Sequence, residues 1–143
     1  MQAQMTEEQI KKVGRLREIL PRVPEEVIQG MALGGDPFVN LILTLGDYDI
    51  VAKVETVDGI CAAGYREGDE IVWDAFPFFL RDDPDGCSHC GRIPVGERVG
   101  DIWFAILGGA DPETLQQRVE CLDPGPQGQG MGHVEVEIRL ELK

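Results

Sequence analysis

The chain has few basic residues and few histidines, and each shortage narrows the range of functions. Lysine and arginine number 13 against 26 aspartates and glutamates, which leaves a formal net charge of −13. Such a surface repels phosphate backbones and anionic lipid headgroups. The two histidines fall in predicted loops, so no serine–histidine–acid set is legible. We therefore expect neither a nucleic-acid partner nor a membrane partner.

A targeting segment and a long apolar run are also missing. Residues 1–8 have neither the basic start nor the apolar stretch of a signal peptide. The longest apolar stretch, Phe38 to Leu45, is interrupted by Asn40 and Thr44 and is too short to span a bilayer. We expect a cytoplasmic protein. Thiols stay reduced in that compartment, so the four cysteines indicate metal ligands or redox groups before disulfides.

Residues 1–46 have the pattern of a helical lead-in. Thr6 and Gln9 form the sequence signature of a capping box, and apolar residues follow at helical spacing. A second short helix is predicted from Pro24, which is a favourable first-turn residue. A third is predicted to begin at Asp36 and to end at Gly46.

The pattern changes to strands over residues 47–143. Apolar and polar residues alternate from Tyr48, with a turn expected at Asp58–Gly59, and they alternate most regularly over residues 134–142. A short buried helix is predicted from Ile102 to Leu107. At 143 residues the chain fits one domain. We therefore predict an α+β fold with N-terminal helices followed by a small, mainly antiparallel sheet.

The cysteines supply the main candidate site. Cys87 and Cys90 are three positions apart and are followed by Gly91, a spacing that lets two thiolates enter one metal site. Cys61 and Cys121 both occur in turn sequences, where ligands are more natural than core cysteines. Together they predict a closed zinc site of four cysteines that joins the loops of the sheet; iron in a similar site is the chemical alternative.

Two other interpretations of the cysteines stay open. In the first, Cys61 and Cys121 are merely small buried residues, and His89 or His133 completes a mixed metal site. His133, just before the last predicted strand, is otherwise expected to be a solvated loop residue. In the second, Cys87 and Cys90 form a redox pair with a thiol activated by His89.

The redox interpretation normally needs a helix that opens at the cysteine pair. The residues after the pair include Gly91, Pro94 and Gly96. Because glycine and proline disfavour helices, we predict that no such helix forms. We therefore expect the pair to bind metal rather than to exchange disulfides.

The segment from Val54 to Asp69 resembles a family of small uncharacterised prokaryotic proteins. The shared pattern is a strand, then Cys-x-x-Gly-x-x-x-Gly-Asp, which is Cys61 to Asp69 here, then a mid-chain cysteine, here Cys87 or Cys90. A Cys-Pro-Asp-like element before the final strand corresponds to Cys121-Leu122-Asp123-Pro124. The second cysteine of the pair and the N-terminal helices depart from that pattern. The resemblance implies a cysteine-based site and no particular activity.

In size, charge and cysteine content the chain is also similar to the small zinc-binding subunit of acetone- and acetophenone-type carboxylases. This similarity is architectural, since no motif carries it. It implies a non-catalytic accessory subunit that contacts larger protein chains. The rival expectation is a small enzyme, either a redox protein that uses Cys87 and Cys90 or a metal-dependent hydrolase.

Overall fold

The computed structural model describes residues 4–76 and 88–143, and in the second range it describes side chains from residue 95 onward. Its helices are α1 (Glu7–Ile19), α2 (Glu25–Leu33), α3 (Pro37–Leu45) and α4 (Ser88–Leu107). Its strands are β1 (Tyr48–Gly59), β2 (Glu70–Asp74), β3 (Gln116–Glu120) and β4 (Gly132–Leu142). The strands form one antiparallel sheet in the order β2-β1-β4-β3. The predicted α+β fold, with helices before an antiparallel sheet, is confirmed.

Local capping explains where the first helices begin. The Thr6 hydroxyl accepts the Gln9 backbone N–H at 3.2 Å, and the Gln9 side chain accepts the Thr6 N–H at 2.9 Å, which is the predicted capping box. The Asp36 carboxylate accepts the Phe38 N–H at 2.9 Å, and Pro37 follows as the first helical residue. Sequence signals within four residues therefore set these helix starts.

The long central pair, β1 and β4, runs the full length of the sheet. Tyr48 lies opposite Leu142 at one end and Gly59 lies opposite Gly132 at the other. The turn expected at Asp58–Gly59 is therefore wrong, because both residues belong to β1. Gly59 has φ +89°, and a Cβ atom there would lie 2.3 Å from the Met131 carbonyl oxygen. Its glycine signal reflects this close approach rather than a hairpin.

Helix α4 is longer than the sequence predicts. It runs from Ser88 through Pro94 to Leu107, so the expectation that no helix follows the cysteine pair is wrong. An interior proline costs a helix about 3 kcal/mol. Val95, Val99 and Ile102 recur at helical spacing and are buried in the core. Burial of each such side chain is worth about 1.5–3 kcal/mol, so the packed stripe outweighs the local preference.

Two apolar clusters hold the elements together. One packs Leu41 and Leu45 of α3 and the buried stripe of α4 on one face of the sheet, around Trp73 and Ile138. The other lies among the first three helices, around Leu16 and Ile28. Phe76 packs against both clusters, with its ring centroid 5.1 Å from that of Trp103 and 6.3 Å from that of Phe38. The lead-in helices thus join the sheet through shared apolar contacts.

Candidate metal centre at one end of the sheet

The structure describes the side chains of only two of the four predicted cysteine ligands. Cys61 follows β1 and Cys121 follows β3, and both are partly exposed free thiols. Cys90 lies in the first turn of α4, where side chains are not described, and Cys87 lies outside the described residues. His89 is likewise described only as part of that helix. The four-cysteine site therefore stays a prediction.

Cys61 and Cys121 leave the sheet at the same end, on either side of the first residues of β4. On one side, the Ile60 N–H donates to the Met131 carbonyl at 3.0 Å. On the other side, the Cys121 N–H donates to the Val134 carbonyl at 2.8 Å. Within the described ranges, neither sulfur joins a group of three metal-ligating atoms that lie within 4.8 Å of one another. The fold brings the two cysteines to a common end of the sheet without assembling a ligand set from them.

The sulfur of Cys121 sits in a small polar bend. The Asp123 backbone N–H points at Cys121 Sγ from 3.3 Å, and the carbonyl oxygens of Asp123 and Gly132 lie 3.7 and 3.8 Å from the same sulfur. The N–H can donate to the sulfur, and the two carbonyl oxygens can accept from a thiol S–H. The bend therefore surrounds this sulfur with backbone polar groups.

Asp123 anchors the loop that joins β3 to β4. Its carboxylate accepts backbone N–H groups from Gly125 at 2.8 Å, Met131 at 3.2 Å and Gly132 at 3.4 Å. The hydrogen bond from Gly125, followed by those from Met131 and Gly132, holds the pKa of Asp123 below its usual value. One carboxylate thereby links the two ends of the loop and positions the start of β4.

His133 is not the solvated loop residue that the sequence suggested. It is the second residue of β4, lies opposite Asp58 of β1, and has a side chain that is 23% exposed. Its Nδ1 atom lies 2.5 Å from the Asp123 carbonyl oxygen. A carbonyl only accepts hydrogen bonds, so Nδ1 carries the proton. In the tautomer with the proton on Nδ1, the Nε2 atom is the ring nitrogen that can donate an electron pair.

Two glutamates meet His133 on this face of the sheet. Glu135 follows on the same face of β4, and Glu120 of β3 lies directly opposite Glu135. Ligand atoms of the three side chains lie within 4.8 Å of one another, with His133 Nε2 3.7 Å from Glu120 Oε2. We refer to Glu120, His133 and Glu135 as the Glu–His–Glu cluster. This cluster was not predicted from the sequence; its available signal was the placement of His133 and Glu135 two residues apart in an alternating segment.

No family model, no curated protein and no solved structure matches this chain. The resemblance to the Cys-x-x-Gly-x-x-x-Gly-Asp family accordingly stays a prediction. Among the residues that the structure describes, no helix combines the length and apolarity needed to cross a membrane.

Proposed function

We propose that this protein is a small zinc-binding accessory subunit of a larger enzyme assembly, with Cys61, Cys87, Cys90 and Cys121 as zinc ligands. The observation that supports it best is the common location of Cys61 and Cys121, which are distant in sequence but leave β1 and β3 at the same end of the sheet. A zinc ion held there would join both strands to the segment that precedes α4. Structural zinc contributes its binding free energy to folding, so the ion would act as a staple.

The surroundings of Cys121 support the chemistry of the proposal. Its sulfur already receives the Asp123 N–H, and such hydrogen bonds stabilise a metal-bound thiolate. Iron in the same four-thiolate site is the alternative metal.

Apolar surface next to the cysteines supports the accessory role. Ile60, Leu122 and Met131 flank the two cysteine loops and are 72%, 80% and 58% exposed. Large apolar side chains exposed together commonly mark a protein-binding surface. The net charge of −13 favours a partner with a basic surface and argues against nucleic acid. The assembly we favour is an ATP-dependent carboxylase of the acetone or acetophenone type, on the architectural similarity alone.

Metal content and stability test the staple. We expect one tightly bound zinc per wild-type chain, and we expect Cys61→Ser and Cys121→Ser each to lose the metal and to melt at a lower temperature. Ala62→Ser places the same side chain beside Cys61 and is the matched control, which should keep both metal and stability. A Cys121→Ser variant that retains full zinc and melts like the wild type would remove Cys121 from the ligand set.

Purification from the native host tests the accessory role. We expect the protein to be recovered with larger chains in a fixed ratio. A lone monomer with its own activity would contradict the accessory role.

A dithiol redox protein is the second candidate, and the course of α4 favours it. This helix begins at Ser88 and includes Cys90, so a helix does open at the cysteine pair. Thiols at helix N-termini have lowered pKa values and react more readily. A metal-free protein in which Cys87 and Cys90 form a reversible disulfide would favour this candidate. Zinc that protects all four thiols from alkylation would favour the staple.

A further inference from the structure

We propose that Glu120, His133 and Glu135 form an open site for a divalent transition-metal ion, separate from the cysteine ligands. The three ligand atoms lie within 4.8 Å of one another on two neighbouring strands. One imidazole nitrogen and two carboxylate oxygens suit Mn²⁺, Fe²⁺ or Zn²⁺, whereas Mg²⁺ and Ca²⁺ prefer oxygen alone. Three protein ligands leave coordination positions free for water or for a bound ligand.

The orientation of His133 is the first observation that supports the site. Because Nδ1 donates to the Asp123 carbonyl, the lone pair of Nε2 is directed away from that loop, and Glu120 lies 3.7 Å from this atom. Metal-binding histidines commonly donate their other ring N–H to a carbonyl or carboxylate, which fixes the ring and the tautomer. The Asp123 carboxylate in turn accepts hydrogen bonds from three backbone N–H groups of the loop. These bonds fix the position of the carbonyl that His133 contacts.

A second, independent observation that supports the site is the set of residues that lie opposite Glu135 and Glu137 of β4 on the neighbouring strands. Glu137 has a basic residue directly opposite it on each neighbouring strand, Lys53 on β1 and Arg118 on β3. Glu135 lies between Thr56 and Glu120, a neutral residue and a second carboxylate. Like charges directly opposite each other destabilise a sheet. In the sheet register of the described residues, no lysine or arginine lies directly opposite Glu120 or Glu135, and a bound cation would offset the repulsion between these two carboxylates.

The site lies on the face of the sheet opposite the core, next to the Cys121 loop. Residues 134, 138 and 140 of β4 are buried in the core, so residues 133 and 135 face the opposite side. Cys121 follows β3, and its sulfur lies 3.7 Å from the Asp123 carbonyl oxygen that His133 Nδ1 contacts. The two candidate sites are therefore neighbours that use different ligand atoms: sulfur at the cysteines, and one imidazole nitrogen with carboxylate oxygens at the Glu–His–Glu cluster.

Manganese is the probe that separates the two sites, because Mn²⁺ favours nitrogen and oxygen ligands over thiolates. Binding to the full chain is measured from the electron paramagnetic resonance signal of free Mn²⁺, and paramagnetic broadening of the His133 ring signals locates the ion. In His133→Asn, the amide N–H takes the place of Nδ1–H beside Asp123 while the Nε2 donor is removed. Glu135→Gln removes a proposed ligand, and Glu137→Gln is the matched control on the same face of β4.

We expect one Mn²⁺ per wild-type chain at this position, with binding about tenfold or more weaker in His133→Asn and in Glu135→Gln. Binding to Glu137→Gln should stay within about twofold of the wild type, since a non-ligand removes only diffuse charge. Equal losses in Glu135→Gln and Glu137→Gln would mean general attraction by an acidic surface and would overturn the site. Unchanged binding in His133→Asn, or no Mn²⁺ bound by the wild type, would overturn it as well. Cysteine variants should bind Mn²⁺ normally wherever they remain folded, so a failure of the zinc proposal is distinguishable.

Discussion

The two faces of β4 differ although they belong to one strand. On one face, Ile138 and Leu140 lie opposite Ala52 and Ile50 of β1 and are buried against the helices. On the other, charged residues alternate with them, and these are partly or fully exposed, namely His133, Glu135, Glu137, Arg139 and Glu141. The period of two separates side chains that stabilise the fold from side chains that are free to bind.

The charged face itself has two parts. Towards the end of β4, Arg139 pairs with Glu70 at 3.2 Å and with Glu141 at 2.7 Å, so acids and bases are matched. Towards its start, His133 and Glu135 lie opposite acidic or neutral residues, namely Asp58, Thr56 and Glu120. The charges near the end of β4 form ion pairs within the sheet, whereas the residues near its start form the proposed cation site. Three stability measurements test these differences between the parts of β4.

The largest effect is expected from the core face. Ile138→Ala removes a side chain that is 0% exposed at the centre of the sheet, and such deletions typically cost about 2–5 kcal/mol of unfolding free energy. Glu137→Ala, one residue away on the charged face, is the matched control and should change stability by about 0.5–1 kcal/mol at most. Urea unfolding of both variants gives the comparison. Similar losses of unfolding free energy at both positions would contradict the conclusion that the core face of β4 contributes more to stability than the charged face.

A smaller loss is expected at the loop between β3 and β4. Asp123→Asn keeps the shape of the side chain but loses the charge that accepts three backbone N–H groups. Because the folded pKa lies below the ordinary value of 3.8, the carboxylate stabilises the fold above that pH, and the stabilisation disappears as pH falls through the folded pKa. In chelator-treated protein, wild type and variant should differ at pH 7 and should converge only as the pH falls below 3.8 and through the lower folded pKa of Asp123. A difference that does not depend on pH would assign the loss to shape alone.

The smallest effect is expected where charges are matched on the exposed face. Arg139 lies opposite Val51, which is only 2% exposed although the register puts it on the charged face. Arg139→Ala removes two partly exposed ion pairs and the apolar stem beside Val51, for about 1 kcal/mol. Arg139→Lys keeps a charge and a stem and should lose less. Thermal melting at low and high salt separates the contributions, since only the ion pairs weaken in salt.

Local patterns predicted much of the fold. The capping box at Thr6, the start at Asp36 and the alternation over β4 each depend on residues within a few positions of one another, and each is present in the structure. Helix α4 was predicted too short because Pro94 and its neighbouring glycines dominate the local pattern. The full length of the helix depends on tertiary contacts, because Val95 and Val99 are buried only when they pack in the core against the sheet.

The candidate metal ligands, the alternation of β4 and the acidic charge are all readable from the amino-acid sequence. That Glu120 lies opposite Glu135, and that His133 turns its Nδ1 to Asp123, follows only from the folded chain. The reason is physical: alternation tells which face of a strand a residue occupies, but the hydrogen-bond register between two strands decides which residues become neighbours. The common end of the sheet shared by Cys61 and Cys121 has the same origin, because both strands pair with β4 and leave it at its first residues.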